Sequence, residues 1–224
     1  MSIEQVKGGC FHDGSEGIRQ GEGDNAVDAD VDIRAYFVSV LNEFKETFGV
    51  PERIFYPACG NDASVIYAFK DCDAKIVYLD PSNSILDVQK HVENQADIKA
   101  SLKFLKSKIQ DFVNDEEFKA RFDLLISIHS HAPFEQEIAS LKSGGYLIIA
   151  TKGSDKALDS SELELRSAVH IHEDNSGERR VIFDTDTDRY YELDPEVQGM
   201  TFSNRRKCKA NFYIFRKIRT QYKS

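Results

Sequence analysis

The stretch from Arg53 to Asp80 constrains the fold of this chain more than any other part of it. Ile54-Phe55-Tyr56 is a short apolar run that stops at Pro57, and Ala58-Cys59-Gly60-Asn61 then supplies small, turn-prone residues. Asp62-Ala63-Ser64 follows, with side chains suited to capping a helix. The order predicts a strand, a tight loop and a helix start. Ile76-Val77-Tyr78-Leu79 forms a second β-rich run, closed by Asp80, which stands 20 residues after Gly60.

That offset has a chemical meaning. A loop that leads straight into a helix leaves backbone N–H groups unpaired, which suits a carboxylate or a phosphate. A carboxylate about 20 residues further on, at the end of the second strand, reaches a ribose, where one acidic side chain accepts from two vicinal hydroxyls. An adenosyl ligand fits both ends of such a unit.

Three further segments extend the pattern. Tyr78-Leu79-Asp80-Pro81-Ser82 is the second motif, Phe122-Asp123-Leu124-Leu125-Ile126-Ser127 reads as a fourth strand, and Leu141-Lys142-Ser143-Gly144-Gly145-Tyr146-Leu147-Ile148-Ile149 reads as a fifth. With Cys59, Gly60 and Asn61 as the first motif, the chain resembles class I methyltransferases, the Rossmann-like family that uses S-adenosylmethionine, over roughly residues 31 to 152. The resemblance implies an α/β fold with a doubly wound, mostly parallel sheet and an antiparallel last strand, here Ala210-Asn211-Phe212-Tyr213-Ile214-Phe215. It implies S-adenosylmethionine as cofactor, with Asp80 and Pro81 at the ribose and Pro57, Ala58, Cys59, Gly60 and Asn61 beside the methionine part. Gln110 and Asp111 would lie near adenine, and Ser127 to His131 at the reacting face. His129, with an imidazole that titrates near neutral pH, is the candidate to take a proton from a substrate nucleophile.

The chain departs from the family pattern where the methionine part would lie. Tyr56 stands in place of the acid that usually ends the first strand, Ala58 in place of the first glycine and Asp62 in place of the last. The Asp62 carboxylate can cap the helix, bind a ligand ammonium in place of the lost acid, or repel a ligand carboxylate. Lys108 falls where relatives often carry an acid for the adenine amino group, with Gln110 or Asp111 as substitutes.

Length and composition agree with one globular domain, since 224 residues bury a substantial core and 41% hydrophobic residues is ordinary for a soluble protein. No run of about 18 apolar residues suggests a membrane span, and the acidic, glycine-rich beginning is unlike a signal peptide, so the expected location is cytoplasmic. Cys10, Cys59, Cys72 and Cys208 are widely separated and read as free or buried thiols, with no metal site expected. A net charge of −9 argues against a general affinity for nucleic acid. Arg205-Arg206-Lys207-Cys208-Lys209 and Arg216-Lys217-Ile218-Arg219 make a basic stretch suited to an acidic substrate or simply to solvent. The methyl acceptor, a small molecule or a protein, and the oligomeric state have no signal in the sequence.

Outside the motifs, residues 1 to 30 read as a loosely ordered segment or lid, and residues 31 to 224 as a single domain. Asp32 to Phe48 has the spacing of an amphipathic helix, stopped by Gly49 and Pro51. Residues 153 to 203 form a variable cap region, with Leu158 to Val169 helical in pattern, Arg180-Val181-Ile182-Phe183 and Tyr190-Tyr191-Glu192-Leu193 strand-like, and a turn at Asp174-Asn175-Ser176-Gly177. Two other functional readings stay open. The altered first motif fits a domain that kept the fold and lost catalysis, acting as a binding or regulatory protein. The His129/His131 and His170/His172 pairs could instead hold a divalent metal for hydrolysis.

Overall fold

The computed structural model describes residues 26–93, 95, 97–112, 118–128, 130, 133–151, 154–173, 179–191 and 210–218. A long helix α1 (Ala26–Phe48) ends at Gly49, whose φ of +90° lets its N–H bond back to the Lys45 carbonyl at 3.0 Å. Strands and helices then alternate: β1 (Arg53–Pro57), α2 (Ser64–Phe69), β2 (Lys75–Leu79), α3 (Ser84–Glu93), β3 (Ser101–Leu105) and β4 (Phe122–Ser127). They are followed by α4 (Phe134–Ser140), β5 (Leu141–Ala150), α5 (Ser154–Leu158), β6 (Leu163–Glu173), β7 (Arg179–Asp184) and β8 (Phe212–Lys217). No helix among the described residues is long and apolar enough to cross a membrane.

The strands form one sheet in the order β3-β2-β1-β4-β5-β8-β6-β7. The first five in that order run parallel, β8 runs antiparallel to β5 and β6, and β7 returns antiparallel to β6. The fold is therefore the expected doubly wound, mostly parallel sheet with an antiparallel last strand. Because β1 winds toward β2 on one side and β4 lies on its other side, the direction of winding reverses between β1 and β4, and a crevice opens at their carboxyl ends.

Both faces of the sheet are covered, as buried parallel strands require. On one face Ile54, Tyr56, Ile76, Tyr78, Leu124 and Ile126 pack under α1, α2 and α3, which contribute residues such as Phe37, Leu41, Ile66, Phe69, Ile85 and Val88. On the other, Phe55, Leu125, Leu147 and Ile149 meet Ile138 of α4, Ala157 and Leu158 of α5, and Tyr190. The alternation of Ile54, Phe55 and Tyr56 between the faces is the period-two rule for a strand buried on both sides.

Two expectations for the region after β5 are corrected. The segment predicted helical from Leu158 to Val169 is the end of α5, a turn and then β6. A β-bulge against β8 between Leu165 and Ser167 explains the mismatch: Leu163 and Leu165 are two apart, but the next residue on that face is Ala168, three further on, so the apolar spacing imitates a helix. Tyr190, predicted in a strand, ends a short 3₁₀ turn from Asp188, while Glu192 and Leu193 lie outside the described residues, as does the turn at 174–177. β7 carries Arg180 to Phe183 as expected.

Candidate functional site

Pro57 ends β1 beside Leu79 of β2, and the loop after it is shaped by two left-handed residues, Ala58 at φ +52° and Gly60 at φ +56°. Glycine adopts that region freely, whereas an alanine pays a steric cost for it. The Ala58 N–H donates to the Leu79 carbonyl at 2.7 Å, and the Gly60 N–H donates to Asp80 Oδ2 at 2.9 Å. The loop is thus pinned to the end of β2, and the 20-residue spacing read from the sequence becomes a direct hydrogen bond. Asn61 is exposed at the tip of the loop and Pro81 is exposed beyond β2.

Asp80 is only 7% exposed. Its Oδ1 accepts from the Ser82 N–H at 2.8 Å and from the Ser82 hydroxyl. Burial pushes its carboxyl up, but the Ser82 hydroxyl and the N–H groups of Ser82 and Gly60 outweigh burial and hold it below the usual carboxylate value. Cys59 is buried with its Sγ toward the Leu79 carbonyl at 3.9 Å. Burial, reinforced by the Asp80 charge, pushes its thiol far up, so it is a packed turn residue rather than a nucleophile.

Asp62 stands one residue before Ala63, the N-cap of α2, which has no side-chain cap, and its carboxylate is taken up within the protein. Its Oδ1 accepts from the Ser64 N–H at 2.8 Å at the start of α2, and its Oδ2 accepts from the Tyr56 hydroxyl at 2.7 Å. Tyr56 and Tyr78 are fully buried with ring centroids 5.7 Å apart, and each hydroxyl has a partner, the Tyr78 oxygen accepting from the Ile66 N–H at 3.1 Å. A buried hydroxyl without a partner costs about 1–3 kcal/mol, so the Tyr56–Asp62 pair satisfies two buried groups at once. Burial, then the Asp62 charge, raises the Tyr56 hydroxyl well above its ordinary value, which keeps it a donor.

Ser127 ends β4 two residues beyond Leu125, which pairs with Phe55 two residues before Pro57, so Ser127 stands level with the start of the loop, and it is buried. Its hydroxyl donates to Glu137 Oε2 at 2.8 Å. Glu137, in α4, is 3% exposed, and its Oε1 is buried without a hydrogen-bond partner among the described residues. Burial pushes its carboxyl up, opposed by the hydroxyls of Ser130 and Ser127. Sequence reasoning missed Glu137, since an acid near a helix start ordinarily faces water and nothing local says that this one is buried under β4.

Gln110 and Asp111 lie in a 3₁₀ turn, Ile109–Asp111, after β3, both exposed. The Asp111 carboxylate folds onto its own turn, accepting from Ser107 Oγ at 2.5 Å and the Lys108 N–H at 3.1 Å, and these donors hold its carboxyl below the usual range. His129 and His131 lie outside the described residues. His170 is engaged elsewhere: its Nε2 is 2.6 Å from the Tyr190 hydroxyl, which donates to Asp184 Oδ2 at 2.5 Å beside an Arg189–Asp184 ion pair. Among the described residues no group of three or more His, Cys, Asp or Glu side chains could hold a metal ion. Of the basic stretch, Lys217 Nζ donates to the carbonyls of Ile138 and Leu141 at 2.8 and 3.0 Å, while residues 205–209 and Arg219 lie outside the described residues.

Two features at the ends of β1 and β2 fit an adenosyl ligand. Asp80 Oδ2 receives a single donor and a carboxylate oxygen has room for two, which leaves a lone pair for a ribose hydroxyl. A Cβ built on Gly60 would meet nothing within 4 Å among the described residues.

The strand order, the crevice between β1 and β4 and the antiparallel β8 define a class I methyltransferase-like fold. No family model and no curated protein sequence matches the chain. Among solved structures it is similar to the N-methyltransferase NodS from Bradyrhizobium japonicum WM9, 10% identical, with 85% of this chain and 99% of that chain covered and a TM-score of 0.50. NodS in complex with S-adenosyl-L-homocysteine matches over 52% of this chain and 60% of that chain, at 12% identity and a TM-score of 0.39. A methyltransferase from Geobacter sulfurreducens matches at 13% identity over 66% of this chain and 86% of that chain, with a TM-score of 0.45. At such identities the likeness is one of fold.

Proposed function

We propose that this chain is an S-adenosylmethionine-dependent methyltransferase whose cofactor lies in the crevice between β1 and β4. One observation carries the reading: the left-handed loop at Ala58 and Gly60, tied through the Gly60 N–H to a buried, ionised Asp80 at the end of β2. In this reading Asp80 accepts from the ribose hydroxyls, Ala58 to Asn61 lie along the methionine part, and the turn with Gln110 and Asp111 flanks adenine. Ser127 and Ser130 stand on the side from which the acceptor approaches, and His129, outside the described residues, is the candidate base. The cofactor supplies a methyl group already activated on a sulfonium, so the chain's residues have mainly to align an acceptor and exclude water.

Calorimetric titration with S-adenosylmethionine and S-adenosylhomocysteine tests this. Micromolar affinity, about −8 kcal/mol, is the expected result, with a loss of about ten-fold or more in Asp80→Ala, as for removal of a hydrogen bond to a charged group. Undiminished affinity in Asp80→Ala would overturn the placement of the ribose. A second reading, a domain without catalysis that acts as a binding or regulatory protein, is favoured by the Tyr56–Asp62 bond, which commits the acid nearest the methionine end. It predicts no heat and no thermal stabilisation at about millimolar ligand, and a stable complex with another protein.

A further inference from the structure

The segment from Lys99 to Gln110 holds four lysines and no acid, in a chain whose net charge is −9. Its middle is β3, one edge of the sheet. The Ser101 N–H donates to the Ala74 carbonyl at 2.9 Å and the Asp80 N–H to the Leu105 carbonyl at 3.1 Å, which sets the alternation of a parallel ladder. Ser101, Lys103 and Leu105 therefore turn their backbone groups to β2, while Leu102 and Phe104 turn N–H and C=O outward, away from the sheet. Among the described residues no strand pairs with that edge. We propose that β3 is a docking edge for an extended polypeptide segment with acidic side chains, which joins the sheet there as a further strand.

The side chains beside the edge decide what such a segment carries. Lys103 pairs with Val77 and shares a face of the sheet with Val77, Leu105 and Lys75, by the period-two rule. On that face the crossover from β3 to β4 holds, among the described residues, only the 3₁₀ turn Ile109–Asp111 in place of a long helix, and Lys75, Ser101 and Lys103 are exposed. Lys106 and Lys108, also exposed, follow where the strand ends. Lys75, Lys103 and Lys106 form no ion pair among the described residues, and the nearest acid in sequence, Asp111, is turned onto Ser107 and the Lys108 N–H. The opposite face of β3 is apolar: Leu102 and Phe104 are half-buried, and Phe104 stacks on Tyr78 with ring centroids 5.4 Å apart. A strand added beside β3 would thus carry acidic residues on the Lys103 face and apolar residues, alternating with them, on the Leu102 and Phe104 face. Lysine on an edge strand also repels stray strands, but Lys75 lies one strand in, where such a guard has no use. A peptide backbone matches the outward N–H and C=O groups of Leu102 and Phe104 and a sugar-phosphate backbone does not, so a polypeptide is the partner that the edge fits.

The probe is a peptide of about ten residues that alternates glutamate and valine, long enough to run the length of β3. Its binding to the full chain is measured by calorimetry, and the exchange of individual β3 amides by NMR. The expected result is binding that weakens as salt is raised from about 0.02 M to about 0.5 M, with exchange at the Leu102 and Phe104 amides slowed about ten-fold or more by saturating peptide. Lys103→Glu combined with Lys106→Glu, both at exposed positions, keeps the parent's melting temperature and weakens binding about ten-fold or more. An N-methylated form of the peptide keeps its charge, has no N–H to donate and does not bind.

No binding of the peptide, or binding unchanged in the lysine variant, overturns the inference and leaves the lysines as a guard on the edge. An N-methylated peptide that binds as tightly, or unslowed exchange at Leu102 and Phe104, overturns the added strand. A single-stranded oligonucleotide of the same charge that binds more tightly than the peptide overturns the choice of a polypeptide. None of these results depends on the cofactor titration, so the docking edge and the proposed methyltransferase site stand or fall separately.

Discussion

At Ala58 a side chain occupies a backbone conformation that glycine adopts without penalty, and its φ of +52° marks the point where the loop leaves β1. The methyl group costs about 1 kcal/mol there, partly offset by the lower freedom of alanine in the unfolded chain. Ala58→Gly should stabilise the protein by up to about 0.5 kcal/mol and raise the melting temperature by about 1–2 °C, read by calorimetric melting. A lower melting temperature would mean that the left-handed turn is not held in solution. At Glu137 the sign of the pH effect follows from burial. Its carboxyl titrates above the ordinary value of 4.5 in the folded protein, so its contribution to stability is intact below that value and is lost as pH rises through the folded value. Glutamine carries no proton to lose, so the stability of Glu137→Gln relative to the parent should climb as pH rises above the ordinary glutamate value and level off once Glu137 is ionised in the folded protein. A difference that stays flat with pH would show that Glu137 is not buried as described.

At the seam between β4 and β5 the register of the two strands shifts. Phe122 pairs with Leu141 and Leu124 with Tyr146, so two residues along β4 are matched by five along β5, and the surplus bends past Asp123 at Gly144 and Gly145. A Cβ on Gly145 would lie 2.9 Å from Leu141 Cδ1 and 3.0 Å from the carbonyls of Asp123 and Lys142, two of them backbone atoms that cannot step aside. Gly145→Ala should therefore cost about 1–3 kcal/mol, seen as a lower urea midpoint with an unchanged slope. A midpoint within error of the parent would show that the seam relaxes. The Ser143-Gly144-Gly145 motif was legible in the sequence as a strand entrance, but the reason for the second glycine is the carbonyl of a strand that lies about 20 residues earlier.

For the whole molecule, the strand order puts β1, β4 and β5 in the middle and β3 and β7 at the edges. β4 is buried along nearly all its length, whereas β3 alternates exposed and half-buried positions. Hydrogen exchange should accordingly be slowest in β1, β4 and β5 and fastest among the strands in β3 and β7. Amides of β7 as slow as those of β4 would mean that the sheet continues into something that covers that edge. The burial gradient also suits the site: the loop at Ala58 to Asn61 hangs from β1, which is buried along nearly all its length.

Local order along the chain was a property of the sequence itself. Arg53 to Asp80 fixed a strand, a tight turn, a helix and a second strand, and β4, β5 and β8 stood out as apolar runs, because these patterns depend on neighbours a few residues away. The four motifs in order carried the resemblance to class I methyltransferases, which implied the sheet and its antiparallel last strand. The tertiary structure alone decided which partner each polar group took. Asp62 turned to Tyr56 and α2, and Asp80 took Gly60 as well as Ser82. Glu137 was drawn beneath β4, and the bulge in β6 hid a strand behind helical spacing. Burial and pairing depend on which element packs alongside, and that is settled only when the sheet closes over both of its faces.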